Sequence, residues 1–202
     1  MKYQDYVIKD GNLIGKFDEM YKIFDDPWEQ STRERNSNEK LIGLEILKRN
    51  NHKSVLELGC GHGHYTKKIS EITDRCVGVD ISENAIIKAR TLYPDCNFIK
   101  SHIINKDLYR DVDCIMMMEI TWYVLDSLKD FKKIIVNHGG VGFFHALNTY
   151  PEASQTYGKD FFTNHDQILN YFSDVIHIEE SGIFSKKEYN GCLRTFFYGK
   201  IK

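Results

Sequence analysis

The run Val55-Leu56-Glu57-Leu58-Gly59-Cys60-Gly61-His62-Gly63-His64-Tyr65 constrains this chain more than any other feature. Apolar residues lead into glycines at alternate positions, and a helical spacing of Tyr65, Ile69 and Ile72 follows at once. A buried strand that turns sharply into a helix opens a βαβ unit, and glycine lets the backbone turn that tightly. The alternation continues downstream. Short apolar runs at 76–80, 97–100, 113–118 and 141–147 read as strands, with 113–118 fully buried and central. Helical periodicities lie between them. Ala85, Ile86, Ala89 and Leu92 follow Ser82 as N-cap; Leu128, Phe131 and Ile135 follow Asp126 or Ser127 and stop at Gly139-Gly140. A helix falls within 161–172. Two longer strands, 174–185 and 191–201, close the chain, with a turn near 187–190 and no helix between them. Strands separated by helices run parallel through right-handed crossovers, whereas a pair joined by a short turn is antiparallel. The predicted fold is α/β: a doubly wound, mostly parallel seven-stranded sheet with one antiparallel strand near the edge.

Upstream, Leu41, Leu44 and Leu47 form a stripe joined by Ile42 and Ile46, which predicts a helix from Ser37 to about Arg49. Residues 30–40, QSTRERNSNEK, carry no large apolar side chain and read as an exposed loop or helix entry. Residues 1–30 are rich in aromatics, and Phe17, Met20, Tyr21 and Phe24 share one face of a short helix. That segment either caps the core or forms a lid over a ligand pocket. The chain divides into a 1–36 aromatic cap or lid and a 37–202 main domain.

At 202 residues the chain is one domain with a small appendage. Lys plus Arg number 27 against 29 Asp plus Glu, a net charge of -2, so no strong field draws it to nucleic acid or anionic lipid. No window approaches the ~18 apolar residues of a membrane span. The opening MKYQDYVIKD lacks an apolar run, and a cytoplasmic location is expected. Cys60, Cys76, Cys96, Cys114 and Cys192 are scattered without a C-x-x-C, which argues against a disulfide framework and a structural zinc site. His62 and His64 flank Gly63 with no third ligand beside them, so no metal is expected.

Asp80 ends the second strand of the main domain, at the spacing of an acid that accepts hydrogen bonds from ribose hydroxyls. A nucleoside-bearing ligand is therefore expected at the carboxyl ends of the strands. The glycines run G-x-G-x-G rather than G-x-G-x-x-G, and Glu57 would repel a pyrophosphate. No Lys or Arg lies in 54–66. An acid there suits a cationic ligand instead.

These residues resemble the class I S-adenosylmethionine-dependent methyltransferases. E-L-G-C-G-x-G at 57–63 is similar to their motif I, V-G-V-D-I-S at 77–82 to their acidic motif, and D-C-I-M-M-M-E-I at 113–120 to their fourth-strand motif. The resemblance covers about 40–202 and implies a Rossmann-like methyltransferase fold. It also implies S-adenosylmethionine as cofactor, with S-adenosylhomocysteine as product. Glu57, Gly59, Cys60, Gly61, Gly63 and Tyr65 would then surround the methionine moiety, and Asp80 would bind the ribose. Ile81, Ser101, His102 and Ile103 would flank the adenine, and Met118 and Glu119 would adjoin the donor. Where the family often shows an Asp beside the adenine, this chain reads Lys100-Ser101-His102-Ile103, leaving a backbone carbonyl or Ser101 for that contact.

A second resemblance is narrower. Phe24-Asp25-Asp26-Pro27-Trp28-Glu29-Gln30 is similar to the D-P-W segment of NodS-like N-methyltransferases, and Glu119-Ile120-Thr121-Trp122-Tyr123-Val124 resembles their E-V-L-Y-Y-L. This implies transfer of methyl to O or N of a small polar acceptor, a sugar or a surface-polysaccharide precursor. The catalytic candidates are His145, Glu119 and Tyr123. Glu119 ends an apolar strand, where an unpaired carboxylate is costly. His145 reads either as a core imidazole or as a base, for which an ordinary pKa near ~6.5 is suitable. Tyr21, Trp28, Trp122, Asn148 and Tyr157 are the candidate acceptor contacts; for Trp122 and Tyr123 packing is the alternative. Two rivals stay open: a nucleic acid or protein methyltransferase, and a non-catalytic S-adenosylmethionine-binding protein. The net charge and the M-E-I-T-W after the fourth strand oppose the first. The glycine spacing and Glu57 oppose a nicotinamide oxidoreductase. Monomer and homodimer are equally compatible with the sequence.

Overall fold

The computed structural model of the chain describes residues 2–32, 37–151, 154–185 and 191–202. Its strands are β1 (Ile8–Lys9), β2 (Asn12–Leu13), β3 (Ser54–Leu58), β4 (Arg75–Asp80), β5 (Asn97–Lys100), β6 (Cys114–Met118), β7 (Gly142–Thr149), β8 (Ile176–Phe184) and β9 (Leu193–Ile201). The last seven form one sheet in the order β5-β4-β3-β6-β7-β9-β8. β3 pairs in parallel with both β4 and β6, and β9 is antiparallel to β7 and β8. This is the expected doubly wound sheet with its antiparallel strand beside one edge. The turn expected near 187–190 lies outside the described residues.

Among the described residues six α-helices accompany the strands: α1 (Phe17–Ile23), α2 (Asn38–Arg49), α3 (His64–Ser70), α4 (Glu83–Leu92), α5 (Leu128–Ile135) and α6 (His165–Phe172). Leu128, Phe131 and Ile135 of α5 and Ile168 and Phe172 of α6 pack against one face of the sheet around Phe143, Leu147 and Phe197. Ile46 and Leu47 of α2, with Tyr65 and Ile69 of α3, cover the other face around Val55, Met116 and Phe144. Ser82 caps α4 by accepting a bond from the Ala85 amide, as predicted.

Three local expectations differ. Ser127 precedes α5 in helical backbone geometry without a capping bond, because the tight turns Thr121–Tyr123 and Leu125–Ser127 already feed the chain into the helix. In α2 the predicted stripe is buried only in part: Ile46 and Leu47 are in the core, and Ile42 and Leu44 pack against it. Leu41 is exposed, and Glu39, Lys40, Gly43, Ile46 and Leu47 point inward. The Tyr65 side chain leaves room only for glycine at 43, since a Cβ there would stand 2.5 Å from its hydroxyl. Finally, β1 and β2 form a small hairpin that periodicity could not reveal at two residues per strand. Its turn is Asp10-Gly11, with φ of 51° and 75°, a left-handed pair that favours Asp-Gly.

Candidate active site

One cavity of 440 Å³ opens at the carboxyl ends of the parallel strands. It lies over β3, between β4 and β6, where the strand order reverses. Such a switch point splays the loops on either side apart and leaves a crevice. Glu57 and Gly59 line it from the end of β3, Val79, Asp80 and Ile81 from β4, and Ser101, His102 and Ile103 from the loop after β5. Met118, Glu119 and Ile120 follow from β6, Leu147 and Asn148 from β7, and Arg194 from β9.

Asp80 is held by the backbone. The Gly61 amide donates to its Oδ2 and the Ser82 amide to its Oδ1, both at 2.9 Å. Its residue is only 9% exposed. Burial pushes its pKa up, and the Ser82 and Gly61 amides pull in the opposite direction. The carboxylate thus fixes the glycine loop while facing the cavity. Glu57 accepts from the Thr66 hydroxyl at 2.5 Å. Burial pushes its carboxyl up to about 7, although Thr66 and Lys40 oppose the shift. Ile120 closes over Gly59, where a Cβ would stand 2.1 Å from its Cγ2, so a bare backbone lies at the cavity wall.

The N-terminal segment roofs this region. Asp18 of α1 accepts from the Ser82 hydroxyl at 2.8 Å and the Asn84 amide at 2.9 Å, which docks α1 on the start of α4. Gln30 accepts from the His62 amide at 3.2 Å. Tyr21 and Gln30 leave no room for a Cβ at Gly61. An aromatic chain then runs inward: Tyr3 on Trp28 at 5.1 Å, Trp28 on Tyr123 at 5.6 Å, and Phe17 on Tyr123 at 5.4 Å between ring centroids. The first and third are edge-to-face, an arrangement that adds to the area they bury.

Opposite the aromatic wall, charges meet. Glu119 has φ of 59°, a left-handed backbone that costs a non-glycine residue about 1 kcal/mol. Asn148 Nδ2 donates to Glu119 Oε1 at 3.1 Å. Strand pairing sets Arg194 directly across from Asn148, and its Nη1 lies 3.8 Å from the same oxygen. Lys40 Nζ is 4.0 Å from Oε2. Arg194 makes its short pair with Glu39, at 2.5 Å.

The cavity brings many of the candidate residues together. Glu57, Gly59, Tyr65, Asp80, Ile81, Ser101, His102, Ile103, Met118 and Glu119 line the cavity, as do Tyr21, Trp28, Trp122, Tyr123 and Asn148. Cys60, Gly61 and Gly63 do not line it. Cys60 packs with Ile86, Ala89 and Phe98; Gly63 lies against Phe98, and Gly61 lies under Tyr21 and Gln30. Tyr157 packs against the hydrophobic core instead of the cavity.

His145 is a clear correction. It alternates along β7 with Phe143 and Leu147, so it points to the face covered by α5 and α6. It is 0% exposed, bonded through Nε2 to the Thr121 hydroxyl at 2.7 Å and packed against Phe172 and Phe197. Burial, with His165 nearby, pushes its pKa down to about 3. A base must touch the proton it removes, and His145 does not reach the cavity. Its neutrality has a cost that pH reveals. The unfolded imidazole binds a proton below about 6.5 while the folded one does not until about 3. Stability from this group is therefore present above 6.5 and lost as pH falls. His145→Phe removes that dependence. Its stability relative to the parent is expected to improve by about 2 kcal/mol between pH 7 and pH 4.5 in urea unfolding. A pH-independent difference would mean that the imidazole titrates normally in the fold.

The sequence reading missed Gln30, Glu39, Lys40, Tyr150 and Arg194. Lys40 and Glu39 carried a signal, as charges on the same helical face as Gly43 and Ile46. Arg194 carried one as a charge between Leu193 and the Thr195-Phe196-Phe197 run of a strand.

The Nodulation protein S (NodS) family model matches residues 18–138. The chain belongs to the NodS family. It is an S-adenosylmethionine-dependent methyltransferase, and its fold agrees. Protein 235L of Invertebrate iridescent virus 6, named as a methyltransferase, is 22% identical over 179 residues, which span 79% of this chain and 68% of that protein. The crystal structure of N-methyltransferase NodS from Bradyrhizobium japonicum WM9, in complex with S-adenosylhomocysteine, superposes with a TM-score of 0.72 at 15% identity. It covers 91% of this chain and 95% of its own. An S-adenosylmethionine-dependent methyltransferase from Clostridium acetobutylicum gives 0.68 at 18% identity, over 90% and 98% of the two chains. The NodS match begins inside α1, so the family pattern takes in part of the roof. Among the described residues no helix is long and apolar enough to cross a membrane.

The NodS cofactor suits the residues present. A carboxylate held by two amides at a cavity wall can accept from a cis-diol, and a bare glycine backbone admits a ligand closely. The acid Glu57 and the absence of Lys or Arg from 54–66 suit a sulfonium better than a phosphate.

Proposed function

We propose that this NodS-family enzyme methylates nitrogen or oxygen on a small polar acceptor, a sugar or a surface-polysaccharide precursor, held under the N-terminal roof. One observation carries the reading: a single cavity runs from Asp80 and Gly59 past Glu119 to the aromatic wall. Donor and acceptor ends are thus continuous and share one enclosure. At 440 Å³ the cavity is in the range of small-ligand sites. The Bradyrhizobium relative is named as an N-methyltransferase, which favours an amine acceptor.

When bound, S-adenosylmethionine supplies an already activated methyl group on a sulfonium. The protein then has to align a nucleophile and keep water out. Asp80 accepts from the ribose, and Ile81, Ser101, His102 and Ile103 enclose the adenine. Tyr3, Phe17, Trp28 and Tyr123 wall off water from the roof, residues 1–36, while the 37–202 domain holds the donor. Glu119 and Asn148 orient the acceptor, and the Glu119 carboxylate takes the proton that the accepting atom loses. Tyr123 serves as wall, since burial pushes its hydroxyl far above the ordinary tyrosine range.

The test is calorimetry with S-adenosylhomocysteine, with NAD as control, followed by transfer of labelled methyl from S-adenosylmethionine to amino sugars, neutral sugars and oligonucleotides. Micromolar binding of S-adenosylhomocysteine alone, with label entering an amino sugar, is expected. Label entering only the oligonucleotide would overturn the acceptor class. Binding without transfer to any acceptor would favour a sensor.

A further inference from the structure

We infer that His102 meets the cofactor's base as a hydrogen-bond donor, so that the pocket takes a 6-oxopurine, hypoxanthine, about as readily as adenine. The inference rests on the proposed placement of the cofactor and deepens it: it names the group that reads the base and what that group does not reject.

The cavity puts the base beside His102. Asp80 ends β4 and is the ribose acceptor in that placement. Glu119 and Tyr123 follow β6, on one side of β3, whereas β5 lies on the other side, beyond β4. A base carried away from the transfer end therefore lies over the loop after β5, where Ser101, His102 and Ile103 line the wall. Ile81 follows Asp80 and is half-exposed at the same wall, where a flat ring would cover it.

The bonds of that loop occupy its acceptors. The Ser101 amide donates to the Asp80 carbonyl at 2.9 Å, which fixes the loop to β4. The Ser101 hydroxyl accepts from Asn105 Nδ2 at 3.0 Å and donates to the His102 carbonyl at 3.4 Å. The Asn105 amide donates to the same carbonyl at 3.0 Å, and Asn105 Oδ1 accepts from the Asp107 amide at 3.1 Å. The buried Tyr109 hydroxyl donates to the Ile103 carbonyl. The stretch Lys100-Ser101-His102-Ile103-Ile104-Asn105 holds no carboxylate. The Ile104 amide donates to His102 Nδ1 at 3.3 Å. A ring nitrogen that accepts carries no proton, so the neutral imidazole carries its proton on Nε2. His102 is half-buried at the cavity wall, and among the described residues its Nε2 has no partner. The base thus meets a donor, held in a loop whose side-chain acceptors are already used.

Such a donor does not tell the two purines apart. Adenine presents N1 as an acceptor beside its 6-amino group. Hypoxanthine presents O6 as an acceptor and carries a hydrogen on N1. The Nε2 hydrogen pairs with N1 of the first or O6 of the second. Rejection of hypoxanthine needs an acceptor at the 6-position, which would bond the amino group and be left unpaired against O6. No side chain of residues 100–105 supplies one.

The experiment is calorimetry of the full chain, at mildly alkaline pH, with S-adenosylhomocysteine and with S-inosylhomocysteine. The two dissociation constants of the parent are expected to agree within about tenfold, far from the discrimination of a site built to bond the 6-amino group. His102→Asp puts an acceptor there and is expected to widen the ratio by about tenfold or more in favour of S-adenosylhomocysteine. His102→Leu is expected to weaken both compounds by about two- to tenfold, the range of one neutral hydrogen bond. Nitrogen-15 NMR of labelled histidine, with the His102 signals assigned by their loss in either variant, is expected to show the Nε2-protonated ring in the parent and a shift on adding either compound. A preference of the parent for S-adenosylhomocysteine beyond tenfold, an unchanged ratio in His102→Asp, or a ring protonated on Nδ1 would overturn the inference and leave the methyltransferase reading standing. The parent ratio needs no variant, so the test survives if neither substitution folds. Binding of neither compound would overturn the cofactor placement, and the inference with it.

Discussion

Asp80→Ala is expected to raise the dissociation constant for S-adenosylhomocysteine at least tenfold. The carboxylate has two tasks that one substitution removes together. It would accept from the ribose, and it also anchors the glycine loop through the Gly61 amide at 2.9 Å and the start of α4 through the Ser82 amide at 2.9 Å. Hydrogen bonds to a charged group contribute about 1.5–3 kcal/mol each, so loss of one places the change between roughly tenfold and a hundredfold. Asp80→Asn separates the tasks. Its amide nitrogen presents hydrogens to Gly61 or Ser82, both of which also donate, so the loop is disturbed even though size is kept. Burial raises the carboxyl above its ordinary value, and cofactor affinity is therefore expected to weaken on acidification earlier than for an exposed aspartate. Calorimetry measures the affinity, and circular dichroism checks that the variants fold. Equal affinity for parent and Asp80→Ala would remove Asp80 from the ribose site.

The sheet was legible because each of its strands outlasts the two or three residues at which periodicity becomes ambiguous. β5 matches the predicted bounds, 97–100, and the missing helix before β9 fixed the antiparallel member. The glycine loop and Asp80 were legible for a related reason: their spacing is a local consequence of one βαβ unit. The acceptor end was not, because it is assembled across the sequence. Arg194 meets Glu39 over 155 positions and lies opposite Asn148 only through the β7–β9 register. Single-sequence patterns carry no information on such pairings until the topology is known. His145 was misjudged because an imidazole in an apolar strand looks the same whichever face it takes. The period of two groups it with Phe143 and Leu147, but both faces of β7 are buried, so only the packed fold shows which cluster it joins. The roof was half legible: aromatic content marked it, but its docking rests on Asp18 and Gln30, polar residues with no periodicity of their own.

Glu119→Gln is expected to lower turnover by about 10²–10⁴-fold while leaving S-adenosylhomocysteine affinity within a factor of about two. The upper figures are those of a lost general base. The amide keeps the shape and one acceptor oxygen for Asn148, so orientation persists and only proton acceptance is removed. The split between turnover and cofactor affinity separates a chemical role from a structural one. Backbone geometry sharpens the prediction. At φ of 59° a glutamate is strained where glycine is not. Glu119→Gly removes the carboxylate and the strain together, so its thermal midpoint is expected to hold or rise while turnover is lost. Arg194 retains its pair with Glu39 at 2.5 Å in that variant. A strained residue whose removal stabilises the fold and abolishes the reaction is retained for the reaction. If Glu119→Gly instead melts early and Glu119→Gln turns over normally, Glu119 belongs to the packing of the β6 end, and the proton leaves the acceptor by way of water.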